Sequence, residues 1–149
     1  MNEINQDVNQ DSLYLLRYLL RIGKSAELGL DTLLSEVDLT ASRLLALRHL
    51  EQSDEPISLS QLAACMAFVK SNATQLIDRL EADHLVKRIP DPNDRRCTQL
   101  EVTEEGRQRH QAAMQAIQPL VEKLQTLYTP EEQAQLVSLL QRLEATLSE

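Results

Sequence analysis

Residues Lys70 to Gly106 constrain this chain more than any other stretch, because the hydrophobic period changes once within them. They read KSNATQLIDRLEADHLVKRIPDPNDRRCTQLEVTEEG. Ala73, Leu76, Ile77 and Leu80 recur at the spacing of one helix face. Leu85 to Ile89 then reads as a strand. Pro90 to Asn93 is a loop, and Thr98 to Val102 returns as a second strand with Leu100 and Val102 alternating. A short amphipathic helix therefore runs straight into a two-stranded β-hairpin. The helix face opposite the apolar stripe carries Ser71, Asn72, Thr74, Gln75 and Arg79, and the hairpin loop carries the adjacent arginines Arg95 and Arg96.

The remaining sequence points to helices. There are three glycines, one phenylalanine and no tryptophan, and 42% of residues are apolar. Long helices packed by Leu, Ile, Val and Ala suit that usage better than a β-sandwich. The polar residues 1–10 are expected to fray. A helix is expected from Asp11, capped by Asp11 or Ser12, with Leu13, Leu16 and Leu20 on one stripe, ending near Gly23 or continuing toward Gly29. A second begins at Thr40 and aligns Leu44, Leu47 and Leu50. The turn signal at 53–56 precedes Ser58-Leu59-Ser60-Gln61, a capping box that opens a short third helix burying Leu62 and Ala63. A turn at 67–69 leads into the helix described above. Beyond the hairpin, Thr103 starts a helix with Glu104 and Glu105 in its first turn. Met114, Ile117, Val121, Leu124 and Tyr128 follow heptad-like spacing, and Pro119 is expected to kink this helix near Gln115–Gln118. Thr129-Pro130-Glu131-Glu132 opens a last helix with Leu136, Leu140, Leu143 and Leu147 on one stripe.

The expected fold is mainly α with a small antiparallel β-hairpin wing, a winged helix-turn-helix. Three regions are expected: an N-terminal arm and dimerisation helix at 1–32, a DNA-binding lobe at 33–106, and C-terminal dimerisation helices at 107–149. A helix presenting small polar groups can enter the major groove of DNA, and paired guanidinium groups can reach phosphates or the adjacent minor groove. The net charge of −8 argues against this until its distribution is considered. Residues 70–98 carry +1 and the remainder −9, so acidity lies outside the proposed reading surface. Non-specific affinity should be weak and salt-sensitive. The apolar stripes of the first and last helices need partners. They either pack on each other within one chain or interlock in a homodimer. A dimer would set two recognition helices about 34 Å apart, one turn of B-DNA, to read a pseudo-palindromic operator.

The residues resemble the MarR family of bacterial transcription regulators over roughly 11–147. Asp94-Arg95-Arg96 with Leu100, Val102-Thr103 and Gly106 is similar to the family's wing signature. Ser71 to Thr74 with Ile77 to Glu81 resembles its recognition helix, and Thr129 to Glu132 with Leu139, Leu140 and Leu143 its final dimerisation helix. The resemblance implies a sequence-specific DNA-binding regulator, more often a repressor than an activator, tuned by a small-molecule effector or an oxidant. It implies that Arg96 enters the minor groove and that Asp94 orients it through a charge-assisted pair. The chain departs from the pattern at Val102, a mild volume change, at His84, where the helix often ends in glycine, and at Val69, where a capping hydroxyl is common and for which Ser71 is an alternative cap.

Candidate DNA-binding residues are thus Lys70, Ser71, Asn72, Thr74, Gln75, Arg79, Arg95 and Arg96. Lys70, Arg79 and Arg95 are assigned to phosphates; Arg79 has Asp78 and Glu81 as alternative partners. Asn72 and Gln75 carry amides able to pair bidentately with adenine. Cys97 reads as a strand residue filling apolar space and Cys65, in LAACMAF, as core. A thiol-based redox sensor acting through Cys97 or Cys65 is the main rival function, and a dimeric interaction protein without DNA binding the other. The two cysteines match no zinc spacing, and the scattered His49, His84 and His110 suggest no metal site. No phosphate loop, nucleophile elbow or HExxH motif supports an enzyme, and no cofactor is expected. With neither a secretory signal nor an apolar span, the expected location is cytoplasmic, at the nucleoid.

Overall fold

The computed structural model describes residues 3–66, 70–92 and 97–147, with side chains described from Ser12 onward and, after the gap before Lys70, from Asn72 onward. Helix α1 (Glu3–Leu34) leads through a 3₁₀ turn (Ser35–Val37) to α2 (Ala41–Gln52). Strand β1 (Ile57–Ser58), α3 (Leu59–Cys65) and α4 (Lys70–Ala82) follow. Strands β2 (Val86–Pro90) and β3 (Thr98–Val102) precede α5 (Glu104–Leu127) and α6 (Pro130–Leu147). The sheet is antiparallel with strand order β1-β3-β2. This is a mainly helical winged helix-turn-helix.

The stripes read from the sequence form the core. Leu44, Leu47 and Leu50 of α2, Leu62 of α3, and Leu76, Ile77 and Leu80 of α4 are buried with Leu85, Val86, Leu100 and Val102 of the hairpin. Ala113 of α5 and Leu34 of α1 close the cluster. Helix starts are satisfied locally. The Ser58 hydroxyl accepts from the Gln61 amide at 3.3 Å while the Gln61 side chain accepts from the Ser58 amide at 2.8 Å. Thr129 and Glu132 repeat that exchange at α6. At α2, Thr40 accepts from Arg43 N–H, and Asp31 of α1 accepts from Ala41 N–H at 2.6 Å, so α1 itself supplies half the cap.

The structure corrects several expectations. Helix α1 begins at Glu3 rather than Asp11 and runs past both Gly23 and Gly29, about 48 Å at 1.5 Å per residue. The polar opening residues contain helix formers and no breaker, so the helix propagates into them without an apolar stripe. The wing is a three-stranded sheet, because Ile57 and Ser58 pair with Leu100 and Gln99. Ser71 lies within α4 rather than capping it. Cys65 is exposed, because α3 is only seven residues long and its buried stripe ends at Leu62 and Ala63. Cys97 is likewise exposed, just ahead of β3 rather than filling apolar space in it. The expected turn at 67–69 lies outside the described residues.

Helices α1 and α6 do not bury their stripes within the chain. Leu13, Leu16 and Leu20 are exposed, as are Tyr14, Leu15, Tyr18 and Ile22, so α1 leaves a large apolar surface uncovered. Leu136, Leu139, Leu140 and Leu147 of α6 are exposed too, and α6 has no buried residue. No helix among the described residues is long and apolar enough to cross a membrane.

Candidate nucleic-acid interface

Helix α4 is fixed from below and free above. Ala73, Ile77 and Leu80 are fully buried, and Leu76 nearly so, which fixes rotation about the helix axis. The opposite face then points Asn72, Gln75 and Arg79 into solvent. No described group holds these three side chains by a hydrogen bond or ion pair, so their amides and guanidinium are available to a ligand. Arg79 does not pair with Asp78 or Glu81. Thr74 is half-buried on the flank of the same face. Lys70 and Ser71 stand in the first turn of α4. Asp94, Arg95 and Arg96 lie outside the described residues; the strands that carry their loop are described.

The join between α4 and the wing is tight. Leu85 N–H donates to the Leu80 carbonyl at 2.8 Å and His84 N–H to the Glu81 carbonyl at 3.0 Å. This is a Schellman ending with His84 in the left-handed region at φ 59°. The turn expected from a glycine is thus kept, with histidine in a strained backbone. Thr103 locks it from the other side: its N–H donates to the Leu85 carbonyl, its hydroxyl donates to the His84 carbonyl at 2.6 Å, and its oxygen accepts from Gly106 N–H at 3.0 Å. A Cβ at Gly106 would lie 2.1 Å from the Leu85 carbonyl oxygen. Helix α4, the wing and the start of α5 therefore meet at one closely packed, hydrogen-bonded point.

Two arginines absent from the sequence-derived site hold this arrangement. Arg43 of α2 donates to the Asp38 carbonyl at 3.1 Å and pairs with Asp83 just beyond α4. Arg88 of β2 pairs with Asp78 at 2.6 Å and with Glu81, both on α4. These hydrogen bonds, that to Asp78 foremost, raise the Arg88 pKa, against partial desolvation. The signal for Arg88 was in the strand period. It shares a face with buried Val86 and lies opposite Leu100, where a charge requires partners. Alongside α4, a cleft of about 410 Å³ opens between α1, the start of α2 and the recognition face. Its lining includes Glu27, Asp31, Arg43 and Arg79.

Residues 39–98 match the family model described as the MarR family. The Escherichia coli (strain K12) transcriptional repressor MprA is 27% identical over 103 residues, 68% of this chain. The chain covers 58% of MprA's length. An E. coli MarR cysteine-to-serine mutant, crystallised in complex with operator DNA, has a TM-score of 0.80 at 25% identity over 89% of this chain and 95% of that one. The transcriptional regulator BldR from Sulfolobus solfataricus has a TM-score of 0.75 at 28% identity and covers 99% of both chains. The matched model spans the helix-turn-helix and wing, and the structural likeness extends over the terminal helices, so the chain is similar to MarR-family regulators in both parts.

Proposed function

We propose that this protein is a sequence-specific DNA-binding transcriptional regulator, a repressor, that works as a homodimer on a pseudo-palindromic operator in the cytoplasm, at the nucleoid. One observation carries this: the polar face of α4, with Asn72, Gln75 and Arg79 unpartnered among the described residues, projects beside a wing joined to it through the Leu80–Leu85 turn. Asn72, Thr74, Gln75 and Ser71 meet base edges or phosphates; Lys70, Arg79 and Arg95 meet phosphates. Arg96, oriented by Asp94, enters the minor groove. Residues 1–32 and 107–149 supply the dimer contacts around the lobe at 33–106, and the bare stripes of α1 and α6 support that assignment. The operator-bound relative supports DNA as the ligand. An effector acts from the cleft beside α4, where occupancy would alter the spacing of the two recognition helices.

A mobility-shift titration with DNA from upstream of the chain's own gene tests this. The wild type should prefer that DNA to a shuffled duplex. Arg79→Ala and Arg96→Ala should each weaken binding and reduce the salt slope, Arg79→Ala by about 1.8, the share of one phosphate contact in each protomer of the dimer. Unchanged affinity in both variants would refute the interface.

The exposure of both thiols favours one second reading, a redox sensor. Loss of DNA binding after peroxide, abolished in Cys97→Ser, would make thiol chemistry the primary event. Identical behaviour of wild type and mutant would remove it.

A further inference from the structure

Asp78 and Glu81 lie on the wing side of the recognition helix, three residues apart and so one turn from each other. Arg88 reaches both from β2: one guanidinium nitrogen donates to Asp78 at 2.6 Å and the other to Glu81. The Arg88 side chain is 30% exposed, whereas Lys87 beside it is 55% exposed and pairs across the hairpin with Glu101. The two neighbouring cations therefore differ in direction. Lys87 faces outward along the sheet, while Arg88 faces α4 and has both terminal nitrogens engaged. A planar fork bridging two carboxylates fixes distance and angle together, which a point charge cannot do.

We propose that Arg88 is a positioning residue for DNA recognition: it acts through Asp78 and Glu81 rather than by touching DNA, and it holds the wing and the recognition helix in one fixed relation so that both enter adjacent grooves together. It also offsets one of the two negative charges beside the reading face. The inference rests on the DNA-binding function proposed above and adds the device that sets its selectivity.

The test compares binding of the full-length dimer to the upstream duplex and to a shuffled duplex of the same composition. Asp78→Asn with Glu81→Gln removes the clamp and two negative charges. Binding to the shuffled duplex should rise, while preference for the upstream duplex falls about tenfold, as expected for loss of a coupled network. Arg88→Gln should lose the same preference with the salt slope unchanged. A full preference in both variants would overturn the proposal. So would an equal loss on both duplexes in Arg88→Gln with a slope reduced by about 1.8, the mark of one phosphate contact in each protomer. If Arg88→Gln does not fold, the carboxylate variant decides alone. A wild type without preference would instead sink the DNA-binding function itself, so the two failures are distinguishable.

Discussion

Replacing Gly106 with alanine should destabilise this fold by about 2 kcal/mol, the opposite of what helix propensity alone predicts. In a helix interior alanine is favoured over glycine by about 1 kcal/mol, and Gly106 sits inside the first turn of α5. The added Cβ would lie 2.1 Å from the Leu85 carbonyl oxygen and 2.7 Å from Val102 Cγ1, within the 3.0 Å that real Cβ atoms keep. The nearer atom is backbone in the Schellman turn, so it cannot swing away as a side chain would. Overpacking of this kind costs about 1–3 kcal/mol. Moving α5 outward to relieve it would also stretch the Thr103 cap, worth about 1 kcal/mol. Set against the propensity gain, the net is a loss of about 2 kcal/mol, or about 4–8 °C in Tm for a chain of this size. The assay is thermal and urea unfolding of wild type and Gly106→Ala at equal protomer concentration, since dimerisation makes Tm concentration-dependent. A variant as stable as wild type, or more stable, would refute the close-approach argument.

Other perturbations separate the remaining parts. His84→Gly should raise stability by about 0.5 kcal/mol, because relief of the left-handed backbone outweighs the added freedom of the unfolded chain; a lower urea midpoint would contradict the αL assignment. Ser58→Ala should lower Tm by about 2–4 °C through loss of about 1 kcal/mol of capping, with no change if the box is not formed in solution. Leu20→Glu alters a residue 68% exposed in the single chain. On a free surface it should change stability by less than about 0.5 kcal/mol. In a dimer interface it should split the particle in two, which light scattering reads directly.

Legibility followed the strength of the local signal. Helices α2, α3 and α4 were plain because their apolar residues repeat over two or more turns or their caps are reciprocal, as at Ser58 and Gln61. The hairpin was plain because Leu100 and Val102 alternate behind a proline-bounded loop. Strand β1 was not, since two residues cannot show a period and Ile57 becomes a strand only by pairing with Leu100. The start of α1 was missed because its opening residues carry no stripe, and the fate of Cys65 because nothing local announces where a seven-residue helix runs out of cover. In the site, the outward face of α4 could be read as the complement of Ala73, Leu76, Ile77 and Leu80. The role of Arg88 could not, because it depends on which helix lies against the strand. That is a tertiary fact, foreshadowed only by a charge at an inward strand position.

Hydroxyl-radical footprinting of the complex, with the number of bound protomers counted by light scattering, tests most directly whether two copies present their helices and wings in step with the duplex. Two protected patches with centres about 10 base pairs apart, under two protomers, are predicted. A single patch under one protomer, or uniform protection without sequence preference, would contradict it.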